Sequence, residues 1–99
     1  MRRAARRDCN EAEIVRALEQ VGASVQRLSE RGVPDLLIGW RGQNLLLEIK
    51  EPLGPRTPPA RTGLTDPQTD WHLAWRGQVA IVRDVAEALE AIGATRPHS

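Results

Sequence analysis

The sequence predicts an α/β fold in which a mixed four-stranded sheet is flanked by helices, and three observations carry that expectation. A helical apolar stripe lies near the start, two apolar strand-like runs flank a turn at Gly42, and a further helix separates the last strand from the one before it. The turn implies antiparallel pairing, whereas strand, helix and strand in succession imply a parallel crossover, so the sheet is mixed.

Taken in order, Asn10 with Glu13 makes a capping pair for a helix running to about Val21 and stopped by Gly22, and Asp8 with Glu11 is an alternative start. On steps of about 100 degrees, Ile14, Val15, Leu18 and Val21 share one face; Glu11 falls within that stripe and Glu13 nearly opposite. Ala23 to Leu28 reads as a first strand and Pro34 to Trp40 as a second. A hairpin turn over Arg41 to Asn44 then leads into a third strand, Leu45 to Lys50, apolar on both faces as a central buried strand is. From Glu51 to Pro67 the prolines and glycines prevent regular structure, so residues 51–66 read as a long Pro/Arg-rich loop of the kind that contacts substrate. Thr65 with Gln68 caps a second helix to about Trp75, Gln78 to Arg83 forms a fourth strand, and Asp84 with Glu87 caps a last helix ending at Gly93. The order is helix, three strands, helix, strand, helix.

A chain of 99 residues holds one core, so residues 1–99 read as a single domain. With 40% hydrophobic and 27% charged residues and no apolar run of about 18, the composition argues for a globular protein away from membranes. No apolar stretch follows MRRAARR, which speaks against a secretory signal, and the lone Cys9 excludes an internal disulfide; both predict a reducing, intracellular location. A net charge of +1 argues against a protein held on nucleic acid by bulk charge alone. Positive charge nevertheless gathers in a basic arm over residues 1–7, with Arg2, Arg3, Arg6 and Arg7, and in the loop, with Arg56 and Arg61. These segments suit phosphate contacts, and solubility is the alternative reading of them.

Among thirteen arginines Lys50 is the single lysine. An ammonium is a compact charge whose pKa falls on burial, which guanidinium cannot imitate. Glu48 and Lys50 are two apart on a strand and so project from one face. With the hairpin centred on Gly42 and Gln43, Asp35 lies opposite Lys50 and diagonal to Glu48, whereas a slip of one residue would remove it from that face. Two carboxylates on a buried sheet are tolerable with a divalent cation between them, and Glu11 on the first helix can complete an oxygen-rich site suited to Mg2+ or Mn2+. No histidine or thiolate is expected in this cluster. His72 reads as a packing or surface residue, although a general-base role is conceivable for it, and Glu13 as a cap. Trp40, Trp71 and Trp75 read as core or interface aromatics rather than base-stacking platforms.

Together, GVPDLLIG, LLLEIK, LTDPQTDW and QVAIVRDVAEAL, with Glu11 on an N-terminal helix, resemble the PD-(D/E)XK nuclease superfamily over about residues 8–90, and in particular the small stand-alone VRR-NUC domains of phages and bacteria. The resemblance implies a restriction-endonuclease-like core and Asp35, Glu48 and Glu11 as ligands of a metal or of its waters, with the Ile49 carbonyl as another ligand. It implies Lys50 as catalytic and Gln68 as a residue near the scissile phosphate, although the capping box alone also accounts for Gln68. It further implies a Mg2+- or Mn2+-dependent endonuclease acting on branched DNA such as Holliday junctions or flaps, in the cytoplasm of a bacterial cell or phage-infected host; paired cuts on two symmetry-related strands, the short chain and its exposed sheet edges then point to a homodimer. The Pro/Arg-rich loop departs from the family pattern. A structural ion pair at a strand end is the alternative reading of the acid and base at 48 and 50. A non-catalytic DNA-binding subunit and a restriction-type duplex endonuclease are the alternative functions.

Overall fold

A computed structural model describes residues 2–51 and 63–94, with side chains from Asn10 onward. Seven elements follow in the chain: α1 (Arg2–Gln20), β1 (Ser24–Arg27), β2 (Leu36–Trp40), β3 (Gln43–Ile49), α2 (Asp66–Ala74), β4 (Val79–Val82) and α3 (Val85–Ile92). The strands form one mixed sheet in spatial order β1-β2-β3-β4, antiparallel between the first three and parallel between β3 and β4. Among the described residues no helix is long and apolar enough to cross a membrane.

The first helix departs from expectation at its start. It begins at Arg2, so the backbone expected to form a basic arm is helical from residue 2 on, while Met1 lies outside the described residues. Alanine and arginine are strong helix formers and nothing in RRAARR interrupts them. Asn10 is therefore interior to the helix rather than its cap. Its Nδ2 donates instead to the carbonyls of Lys50 at 3.2 Å and Arg83 at 3.4 Å, clasping the ends of two neighbouring strands. At the other end the helix stops one residue earlier than expected, through Ala23 N donating to Leu18 O and Gly22 N to Glu19 O, the paired bonds of a left-handed glycine cap, with Gly22 at φ 98°. Val21 consequently falls outside the stripe and is 37% exposed.

The core lies on one face of the sheet. Ile14, Val15 and Leu18 of α1 and Ala88 of α3 pack there against Leu36, Ile38, Leu47, Ile49 and Val82. Removing these side chains from water is the main driving force for the fold, at about 25 cal/mol per Å2 of apolar surface.

The hairpin also differs from expectation. Trp40 pairs with Gln43 and Leu36 with Leu47, so the turn is centred on Arg41 and Gly42 rather than on Gly42 and Gln43. Both central residues have positive φ, 51° and 80°, the signature of the primed two-residue turn whose twist matches that of the strands. The register moves by two residues. Because side chains alternate with period two, the shift leaves every residue on its expected face and places Asp35, one step before the pairing of Leu36 with Leu47, level with Glu48.

An Asn10 that clasps strand ends must keep its amide. Asn10→Asp, which would be neutral at a helix cap, exchanges a donor for a carboxylate facing two carbonyls. Urea unfolding is expected to show a loss of about 1–3 kcal/mol.

Candidate active site

The site is built on the end of β3. Leu47 and Ile49 point into the core, so Glu48 and Lys50 project from the opposite face. Pairing with β4 extends one step past the strand, Lys50 N donating to Val82 O at 2.9 Å, which fixes the backbone that carries the lysine. Glu48 is 0% exposed and is the one buried charged residue among those described. A carboxylate in such a place is costly unless dipoles or cations surround it.

The second helix supplies what surrounds it. Thr65 caps α2, its hydroxyl accepting from Gln68 N at 3.4 Å while Gln68 Oε1 accepts from Thr65 N at 3.0 Å, the capping box that the spacing predicts. The same Oε1 accepts from Lys50 Nζ at 2.8 Å, and Gln68 Nε2 donates to Glu48 Oε2 at 2.9 Å. Two nitrogen donors on one atom and a carboxylate on the other permit only one orientation of this amide. Gln68 thus caps the helix and joins the lysine to the glutamate at once. Lys50 Nζ itself lies 3.9 Å from Glu48 Oε2.

One turn further along α2, His72 Nε2 lies 3.5 Å from Glu48 Oε1, with the ring 13% exposed. His72 therefore belongs to the site, which corrects its reading as a packing or surface residue and the expectation that no histidine joins the cluster. The signal for it was the four-residue spacing from Gln68, which places both on one helix face. Burial, and secondarily the Lys50 ammonium, lower the pKa of the imidazole below its ordinary 6.5. The ring is neutral at neutral pH, so the contact with Glu48 is no ion pair.

Asp35 reaches the site from the entry to β2. Its backbone carbonyl accepts from Leu28 N at 2.8 Å, and its Oδ2 accepts from Ile49 N at 2.7 Å, which seats the carboxylate against the peptide joining Glu48 to Ile49. Glu11 is placed differently. Its Oε2 accepts from Arg27 Nε at 2.9 Å, and none of the contacts linking Glu48, Lys50, Gln68 and His72 includes it.

The structure accordingly brings together Asp35, Glu48, Ile49, Lys50 and Gln68, and adds His72. Among the described residues no group of three or more histidine, cysteine or acidic side chains is arranged to hold a metal. The donors that do converge, carboxylate oxygens with an imidazole nitrogen beside one of them, are still of the kinds that divalent cations accept. Sites for ions that remain largely hydrated need only one or two protein carboxylates, the other positions going to water and substrate phosphate.

The side chains of Arg2, Arg3, Arg6 and Arg7, and all of Arg56 and Arg61, lie outside the described residues. Both flanks of the segment holding Arg56 and Arg61 are described and adjoin the site. Arg83 Nη1 donates to the Glu51 carbonyl at 2.8 Å, and a β-carbon on Gly63 would meet Lys50 Cδ at 3.8 Å. Of the tryptophans, Trp71 stacks on Trp75 at 4.7 Å, and Trp40 lies beneath the Arg41 guanidinium at 5.1 Å.

Because folding lowers the pKa of His72, the unfolded chain takes up this proton first as pH falls. Stability from keeping the ring neutral is complete above about pH 6.5 and is withdrawn as pH drops towards the folded-state value. Thermal melts in EDTA should show a fall in stability between about pH 7.5 and about pH 5.5 that is smaller in His72→Gln. Equal falls in the two proteins would contradict the buried, neutral imidazole.

Comparison with family models, characterised proteins and solved structures finds no match, so the functional reading rests on the geometry of this site.

Proposed function

We propose that this protein is a metal-dependent endodeoxyribonuclease with a restriction-endonuclease-like core, hydrolysing phosphodiester bonds at branched DNA such as Holliday junctions or flaps. The observation that carries the proposal is the convergence of Glu48, Lys50 and Gln68, with Asp35 seated on the adjoining peptide, around a carboxylate that has no exposure. A structural ion pair has no need of this arrangement. Replacing a buried pair by apolar residues is often neutral or stabilising, so a buried glutamate held by an amide and an ammonium is better accounted for by chemistry than by stability.

In this reading Asp35, Glu48 and the Ile49 carbonyl would hold Mg2+ or Mn2+. When bound, the ion polarises the scissile phosphate, stabilises the leaving oxygen and lowers the pKa of water. The residues of the chain do the rest. Lys50 presents an ammonium at the end of the strand, where it offsets charge building on phosphorus or orients the attacking water. Gln68 holds that ammonium beside Glu48 and keeps the carboxylate in one rotamer. Arg56 and Arg61, on the segment whose flanks adjoin the site, supply phosphate contacts together with Arg2, Arg3, Arg6 and Arg7. A two-fold homodimer carries two such sites, as paired cuts on symmetry-related strands require.

The test is nicking of a labelled four-way junction and of a flap in Mg2+, Mn2+ or EDTA. Cleavage is expected with either metal and absent in EDTA. Glu48→Gln should abolish it, and Lys50→Met should slow it by on the order of 100- to 1000-fold, the usual loss of one group that stabilises transition-state charge. Glu48→Gln keeps the side chain's shape and an oxygen to accept from Gln68 Nε2, so its melting curve in EDTA separates loss of folding from loss of chemistry. An absence of cutting in both metals would overturn the nuclease reading in favour of a DNA-binding role.

A further inference from the structure

Glu48 divides its two oxygens between different partners. Oε2 faces Gln68 Nε2 at 2.9 Å and Lys50 Nζ at 3.9 Å, while Oε1 faces His72 Nε2 at 3.5 Å. Although close, these two atoms do not form a hydrogen bond with each other. His72 Nε2 is buried, yet it forms no hydrogen bond with any described residue. Buried polar nitrogens are nearly always satisfied, and one that is not calls for a ligand.

The spacing itself says which. Two donors bound to one tetrahedral ion at about 2.0–2.2 Å are about 3.4 Å apart, which is the separation seen here. An imidazole nitrogen and a carboxylate oxygen at that distance form a mixed pair suited to a first-row transition ion, whereas magnesium prefers oxygen alone.

We propose that His72 Nε2 and Glu48 Oε1 are paired ligands of one divalent transition-metal ion, and that the histidine selects such an ion over magnesium at the site. The inference rests on the nuclease reading for the metal's purpose, and it adds a nitrogen ligand to what was an all-oxygen set. His72 and Gln68, four residues apart on α2, then hold the two oxygens of one carboxylate: the amide fixes Oε2, and the imidazole shares the ion with Oε1. Positions that the protein leaves open go to water and to phosphate oxygens of the substrate, so metal and DNA bind more tightly together than apart.

The experiment is pulsed electron paramagnetic resonance of Mn2+ bound to the full chain, with and without a four-way junction, alongside competition of bound Mn2+ by Mg2+. A 14N coupling from a directly bound nitrogen is expected in the wild type and lost in His72→Gln. The preference for Mn2+ over Mg2+ should fall by about tenfold in that variant. The wild-type spectrum tests the ligand even if the variant folds poorly. Bound Mn2+ without nitrogen coupling overturns this inference, and if the same protein cuts the junction the nuclease reading stands. Failure of Mn2+ to bind with or without DNA overturns both.

Discussion

The rest of the site depends on a carboxylate held out of water. Glu48 sits on the inner strand β3 with no exposure, and its charge must be met by groups brought from elsewhere. The ammonium is that of Lys50, two residues on, and the hydrogen-bond donor comes from α2, which has no buried residue and leaves Leu73 81% exposed. Apolar burial therefore does not place this helix. Gln68 ties it to the outer face of the sheet by bonding Lys50 and Glu48, while α1 and α3 cover the opposite face in the usual hydrophobic way. A helix with so little buried surface belongs to the less stable end of a structure, where functional segments are commonly found.

β3 separates the two regimes residue by residue. Leu47 and Ile49 enter the core and Glu48 and Lys50 enter the site, so one strand of seven residues serves both layers by its alternation. Asn10 reinforces this from the core side by bonding the carbonyls of Lys50 and Arg83, which ties α1 to the ends of β3 and β4 where the site begins. A displacement of α1 is thereby transmitted to the backbone of Lys50.

Much of this was legible in the sequence because it depends on short periods. The alternation that puts Glu48 and Lys50 together needs only strand geometry, and the two-residue error in the hairpin register left the faces intact because two is the period of a strand. The paired apolar positions of α1 and both capping motifs, Thr65 with Gln68 and Asp84 with Glu87, are equally local. What could not be read depends on contacts across the fold. Asn10 looked like a cap because its local pattern fits one, and only the position of the strand ends reveals its bonds. His72 looked like packing because its sequence neighbours are tryptophans, and its proximity to Glu48 exists only once α2 is laid on the sheet. The stripe placed Glu11 towards the interior, but the arginine that meets it comes from β1.

Gln68 shows why helix and site cannot be separated. Its Oε1 accepts at the same time from the backbone of the helix cap and from the catalytic lysine proposed here, so the first turn of α2 and the Lys50–Glu48 link are made by the same atom. Fraying of that turn removes the capping bond, releases the ammonium and withdraws the donor from Glu48 in a single event, leaving a buried charge less well compensated. The energetic penalty of the exposed state then falls on the glutamate and favours redocking of the helix. Glu51 and Gly63, the described residues that flank the segment leading into α2, lie beside Arg83 and Lys50, so the backbone entering α2 and the lysine it holds are positioned together.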